Sequence, residues 1–69
     1  MIIYTKSGCP YCAAAVAHYT AEGTDFEERN ISDSAKWRDE ALSQCGGDRR
    51  VPVIVDDDGS ASIGWEGGG

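Results

Sequence analysis

The sequence predicts an α/β fold in which a strand–helix–strand unit is followed by a second helix and a closing hairpin. Three observations carry that reading. The apolar run Met1-Ile2-Ile3-Tyr4-Thr5 leads through a short link into Cys9-Pro10-Tyr11-Cys12 and an alanine-rich stretch. Val51-Pro52-Val53-Ile54-Val55 is the most apolar strand candidate in the chain, and Asp58-Gly59 marks a tight turn just after it.

Residues 1–5 combine apolar and β-favouring side chains, as a buried strand does, and Lys6-Ser7-Gly8 supplies a flexible connection. A helix is expected from Pro10 or Tyr11 to Ala21. Ala13, Ala14, Ala15 and Ala17 favour it, Pro10 suits its first turn, and Gly23 stands just past its end. Cys12, Ala13, Val16 and Tyr19 are expected to share its inner face. Asp25 to Ile31 is polar apart from Phe26 and Ile31, and reads as a partly exposed edge strand.

Ser32 or Asp33 can cap a second helix over about residues 34–44, with Trp37, Ala41 and Leu42 turned toward the sheet. Cys45-Gly46-Gly47-Asp48 ends it. Residues 51–55 and 60–64 then form a hairpin, with Asp56, Asp57 and Asp58 at a solvated turn. Pro52 cannot donate to a sheet ladder, which is tolerable at the start of a strand. Trp65-Glu66-Gly67-Gly68-Gly69 is too short and glycine-rich to add a helix.

At 69 residues the chain is expected to be one domain, residues 1–69, with a small core. Twelve acidic against six basic residues give a formal net charge of -6, a surface that repels phosphate backbones, so no nucleic-acid partner is expected. No apolar run approaches the length of a membrane span, and the amino terminus lacks a basic, then hydrophobic, leader. No membrane association and a cytoplasmic location are therefore expected, with a monomeric state. The odd count of three cysteines also suits a reducing compartment.

Cys9 and Cys12 place two thiols at a helix N-terminus, where an anionic sulfur is favoured. The residues alone leave three readings open: a reversible dithiol pair, half of a metal site completed by Cys45 and His18, or two small packed side chains. One Cys-X-X-Cys lacks the four ligands of a closed zinc site, so no metal is expected. His18 reads as a helix-surface or partly packed residue, Trp37 as packing for the second helix, and Cys45 as a buried thiol or, as the weaker reading, a site of regulatory oxidation.

The run Tyr4-Thr5-Lys6-Ser7-Gly8-Cys9-Pro10-Tyr11-Cys12, then Val51-Pro52, then Gly64, resembles the glutaredoxin family and its small hydrogen-donor relatives. The resemblance covers residue 1 to about residue 64. It implies a thioredoxin-like, four-stranded mixed sheet flanked by helices, with a cis proline at Pro52 facing the dithiol. It also implies a disulfide reductase in which Cys9 is the nucleophile and Cys12 the resolving thiol. Pro10 and Tyr11 belong to the same motif, Tyr11 as an exposed aromatic wall, and Lys6 favours the Cys9 thiolate or meets a substrate carboxylate. Val51 would pair its backbone with an extended peptide or glutathione, and Arg49 or Arg50 would add positive charge.

The chain departs from that pattern where Ile63-Gly64-Trp65-Glu66 stands in place of Gly-Gly-Cys-Asp or Gly-Gly-Ser-Asp, and a carboxy-terminal helix is expected to be absent. An aromatic after the glycine is a feature of the hydrogen-donor relatives. The resemblance therefore implies electrons supplied by a thioredoxin reductase, with Tyr11 and Trp65 as candidates for the protein contact, and disulfide-containing protein clients, ribonucleotide reductase among them, with no bound cofactor. The alternatives are a glutathione-dependent glutaredoxin, and a metal-binding or adaptor module without redox turnover, using the surface around Trp65.

Overall fold

The computed structural model describes residues 1–44 and 52–65. Four strands and two helices follow one another in these residues: β1 (Ile2–Thr5), α1 (Pro10–Ala21), β2 (Glu27–Asn30), α2 (Ala35–Gln44), β3 (Val53–Val55) and β4 (Ala61–Ile63). They build one mixed sheet in the order β2-β1-β3-β4, with β2 parallel to β1 and the other neighbours antiparallel. The expected α/β fold, with a four-stranded mixed sheet and flanking helices, is the one observed.

Register explains how the two helices divide the sheet. Side chains alternate along a strand, so Ile3 and Ile54, which are partners, share one face, and Tyr4 and Val53 share the other. Ile3 and Ile54 pack with Ala15 of α1, joined by Met1, Tyr19, Phe26 and Trp65. Tyr4 and Val53 pack with Ala41 of α2, joined by Ile2, Ile31 and Val55. Each helix therefore covers its own face of the sheet. β1 and β3 run between them and carry the core.

The inner face of α1 differs from expectation at one position. Cys12 and Ala15 are buried, Val16 and Tyr19 are partly so, and Ala13 is exposed. At about 100° per residue, Ala15, Val16 and Tyr19 all fall within about 60° of Cys12, whereas Ala13 lies about 100° away. The helix N-terminus is otherwise as read, with Pro10 at its first position, where no helical bond is lost.

The cap of α2 also differs. It is Ser34, whose Oγ accepts the Trp37 N–H at 3.4 Å, not Ser32 or Asp33. Those two residues belong to a turn organised by Asn30, whose Oδ1 accepts the Ser32 N–H at 2.8 Å and whose carbonyl accepts that of Asp33 at 3.0 Å. Ala41 is buried as expected, while Trp37 and Leu42 are only partly covered.

Strand β2 is the edge the sequence suggested, four residues of charged and polar character. The β3–β4 hairpin closes through Gly59 N–H to Asp56 O at 2.9 Å and Asp56 N–H to Ser60 O at 2.8 Å. The three aspartates of this turn are exposed. Among the described residues, no helix is long and apolar enough to cross a membrane.

Candidate active site at the start of α1

The C-terminal end of β1 delivers the chain to the site. Thr5 is buried, Lys6 turns outward, and Gly8 takes φ +80°, a left-handed conformation that glycine adopts without the clash a side chain would bring. Cross-links hold this loop against the turn after β2: Ser7 N–H donates to Ser32 Oγ at 3.3 Å, and Asn30 Nδ2 donates to Ser7 Oγ at 3.2 Å. Cys9 N–H donates back to Lys6 O at 3.3 Å.

Cys9 is the residue that caps α1, with extended backbone at φ -91° and ψ 112°. Its Sγ accepts the backbone N–H of Cys12 at 3.3 Å, satisfying one of the N–H groups that a helix leaves unpaired at its start. Cys9 is partly exposed and Cys12 is buried at 3%.

The environment separates their acidities. Burial is the largest influence on Cys9 and pushes its thiol up. The Cys12 side chain, the backbone N–H groups of Cys12 and Tyr11, and the charge of Lys6 together outweigh it and hold Cys9 below the ordinary thiol range. Cys12 is pushed up to about 12, first by burial, then by its hydrogen bond to the Cys9 sulfur and by the charges of Cys9 and Glu28. The fold thus favours charge on the partly exposed sulfur and disfavours it on the buried one.

The other residues expected here are placed as follows. Lys6 and Tyr11 are exposed, Tyr11 at 45%. Pro52 is buried and precedes β3, one step beyond the Tyr4–Val53 pair and so at the same end of the sheet as the Lys6–Cys9 loop. Gly64 takes φ +82° and donates its N–H to Pro52 O at 2.8 Å, which ties the end of the hairpin to the proline. Arg49, Arg50 and Val51 lie outside the described residues, as do Cys45 and the geometry of the Val51–Pro52 bond.

Trp65 stands elsewhere. Its ring packs 5.1 Å from that of His18 and 5.6 Å from that of Tyr19, centroid to centroid, against the last turns of α1. At about 1.5 Å per residue that contact is more than 10 Å along the helix from Cys9. Trp65 extends the core cluster around Ile3 and Ala15 and is not a free ring beside the dithiol. His18 is exposed and pairs with Glu22 at 2.8 Å. Among the described residues, no group of three or more His, Cys, Asp or Glu side chains gathers in a way that could hold a metal.

Sequence reading missed two polar links. Thr5 Oγ1 donates to Glu28 Oε2 at 2.9 Å, and Glu40 Oε1 accepts from Tyr4 OH at 3.1 Å and from Arg29 Nη1 at 2.6 Å. Each joins residues that become neighbours only through strand register and helix placement, so spacing along the chain holds no direct signal for them.

Comparison with known proteins agrees with this fold. Residues 1–59 match the family model described as glutaredoxin. Glutaredoxin 3 of Escherichia coli strain K12 is 35% identical over 54 residues, which are 78% of this chain and 65% of that protein. The chain therefore spans about two thirds of the length of the relative it matches. Among solved structures, the glutaredoxin of Archaeoglobus fulgidus superposes with a TM-score of 0.82 at 28% identity, over 94% of this chain and 74% of that one. The thioredoxin-like protein BC3987 gives 0.85 at 23% identity, over 94% and 86%, a likeness of fold.

Proposed function

The chain belongs to the glutaredoxin family, and from that premise we propose that it is a thiol–disulfide oxidoreductase with a dithiol mechanism, Cys9 attacking and Cys12 resolving. The observation that carries this reading is the unequal setting of the two sulfurs. Cys9 is partly exposed, caps α1 and is held toward the thiolate, while Cys12 is buried behind it and held protonated. The thiolate is the attacking species in exchange, and a second thiol close by releases the product intramolecularly.

In the first step the Cys9 thiolate attacks a client disulfide. A Cys9–client bond forms, the client S–S bond breaks, and the departing client thiolate takes up a proton. Cys12 then loses its proton and attacks Cys9 Sγ, breaking the Cys9–client bond. The client gains two electrons and two protons, and the Cys9–Cys12 pair is left oxidised. Attack consumes the charge on Cys9, and with it two of the influences that keep Cys12 protonated.

Clients in this reading are proteins with accessible disulfides, ribonucleotide reductase among those the resemblance implies. The donor is a thioredoxin reductase, for which the exposed Tyr11 beside the dithiol offers an aromatic contact. A second reading takes electrons from glutathione, favoured by the exposed cation Lys6, whose charge is felt at Cys9 and matches an anionic thiol. Reduction of the Cys9–Cys12 disulfide by glutathione and, separately, by a reductase with its nicotinamide cofactor separates the two. Rapid glutathione turnover without reductase use would reverse the preference.

The test of the mechanism is trapping in cells with Cys12→Ser, which should accumulate mixed disulfides on Cys9, while Cys9→Ser should trap none and lose activity. Folded, reactive Cys12→Ser protein that recovers no thiol-linked client would count against the reductase role. Tight stoichiometric uptake of zinc or an iron–sulfur cluster by anaerobically reduced protein would favour a metal-binding module instead.

A further inference from the structure

Thr5 is the buried polar side chain among the described residues, and its hydroxyl is committed to Oε2 of Glu28 at 2.9 Å. Glu28 stands on the edge strand β2 as the parallel partner of Ile3, so it projects on the sheet face that carries α1. Cys12 lies on that same side. Ala15 packs against Ile3, and Cys12 is one helical turn closer to the start of α1, a step comparable to that from Ile3 to Thr5 along β1. The backbone N–H of Lys6, the residue after Thr5, also acts on the Cys12 sulfur.

Two negative groups act on that sulfur, the Cys9 thiolate and the Glu28 carboxylate. The first vanishes when Cys9 enters a mixed disulfide. The second remains throughout the resolving step, held in place by Thr5.

We propose that Glu28, anchored by Thr5, is a positioning residue that sets how fast Cys12 releases a client from Cys9. This rests on the dithiol reading above. During release Cys12 gives its proton to water, its sulfur bonds to Cys9 Sγ, the Cys9–client bond breaks, and the client leaves as a thiolate that is then protonated. Negative charge grows on a desolvated sulfur as the proton departs, and the Glu28 carboxylate, exposed to solvent but bonded to Thr5 on the same face, opposes it. Glu28 thereby prolongs the mixed disulfide, the state in which the protein remains joined to its client.

Two measurements test this. In a Cys9→Ser/Cys45→Ser background, NMR of isotope-labelled cysteine titrates Cys12 alone. Glu28→Gln keeps an acceptor for Thr5 and removes only the charge. It should raise the Cys12 thiolate fraction at a given pH about two- to tenfold, the scale of a partly screened charge pair, with the difference shrinking as salt rises. Thr5→Val should act in the same direction and less strongly. With the native cysteines at 9 and 12, release of a thionitrobenzoate group preloaded on Cys9 should quicken by a similar factor in Glu28→Gln. An unmoved titration would overturn the proposal whether or not the protein reduces disulfides. Slower release would also overturn it and mark Glu28 as a proton acceptor. A shifted titration in a chain with no exchange activity would sink the dithiol reading while leaving the effect of Glu28 on Cys12 standing.

Discussion

The backbone N–H of Cys12 donates to the sulfur of Cys9 at 3.3 Å, so the residue that supplies the second thiol also stabilises charge on the first. Pro10 at the first helical position makes this possible. It has no N–H of its own to compete, and its fixed φ starts the helix directly after Cys9.

Alkylation of the reduced protein should therefore be ordered. Cys9 should react with iodoacetamide at a pH below that needed by an ordinary thiol, while Cys12 should stay unmodified until far higher pH, its own thiol being pushed up to about 12. Peptide mapping across a pH series reads both sites. Equal rates at Cys9 and Cys12 would contradict the division of roles.

The same asymmetry couples stability to pH. Between the ordinary thiol value of 9.0 and about 12, the unfolded chain releases the Cys12 proton while the native state retains it. The native state then binds more protons, so stability is fully present below that window and falls as pH rises through it. Cys9 has the opposite sign, since its lowered value adds stability that is complete above the unfolded value and is lost as pH falls through the folded one. Urea midpoints of the reduced protein should drop more steeply through the alkaline window than those of Cys12→Ser. Parallel slopes would mean that Cys12 is not held protonated by the fold.

Gly64 offers a test of the proline's support. Its φ of +82° is a conformation that costs a residue with a side chain about 1–2 kcal/mol, and its N–H holds Pro52 O at 2.8 Å. Gly64→Ala should lower stability by about that amount and slow exchange by shifting Pro52, whereas Gly64→Asn should do less harm, because asparagine tolerates this region better. Urea midpoints at constant m-value, with exchange rates beside them, read both effects. Alanine with no loss in either would detach Gly64 from the site.

Much of this was legible along the chain because the signals are local. Ile2 and Ile3, the alanines after Cys12, the Val53–Val55 run and Asp58-Gly59 each place an element through nearest neighbours, and Cys9-Pro10-Tyr11-Cys12 joins the thiols to a helix start in four consecutive residues. Some failures are local: Ala13 turns outward by helix geometry, and Ser34 displaces Ser32 and Asp33 as cap because Asn30 has already bent the chain. Others are not, as where Trp65, expected on a contact surface, is laid on His18 and Tyr19 by the hairpin. Glu28 looked like one charge among several on a polar strand. Only its pairing with Ile3 brings it to the face shared by Thr5 and Cys12.

The link between Tyr4, Arg29 and Glu40 is the remaining feature with a measurable consequence. Tyr4 is buried at 3%, yet its hydroxyl reaches Glu40 at 3.1 Å, Arg29 Nη1 lies 3.3 Å from the same hydroxyl, and the guanidinium sits 5.8 Å from the centre of the ring. Arg29 also pairs with Glu27 on its own strand, so the network ties α2 to β1 and β2 through one cation and two carboxylates. Burial first, then the hydrogen bond to Glu40, holds the Tyr4 phenol above its ordinary range, so it serves as a neutral donor. Tyr4→Phe keeps the ring in the core and removes only the donor, and should cost about 0.5–1.5 kcal/mol, the usual worth of one such bond. Glu40→Gln should leave an acceptor for Tyr4 and weaken the pairing with Arg29. Because both substitutions act on one network, the double variant should lose less than the two single losses added together, by about 0.5 kcal/mol or more. Urea unfolding of the four proteins completes the cycle. Strict additivity would mean that Tyr4 and Glu40 contribute separately.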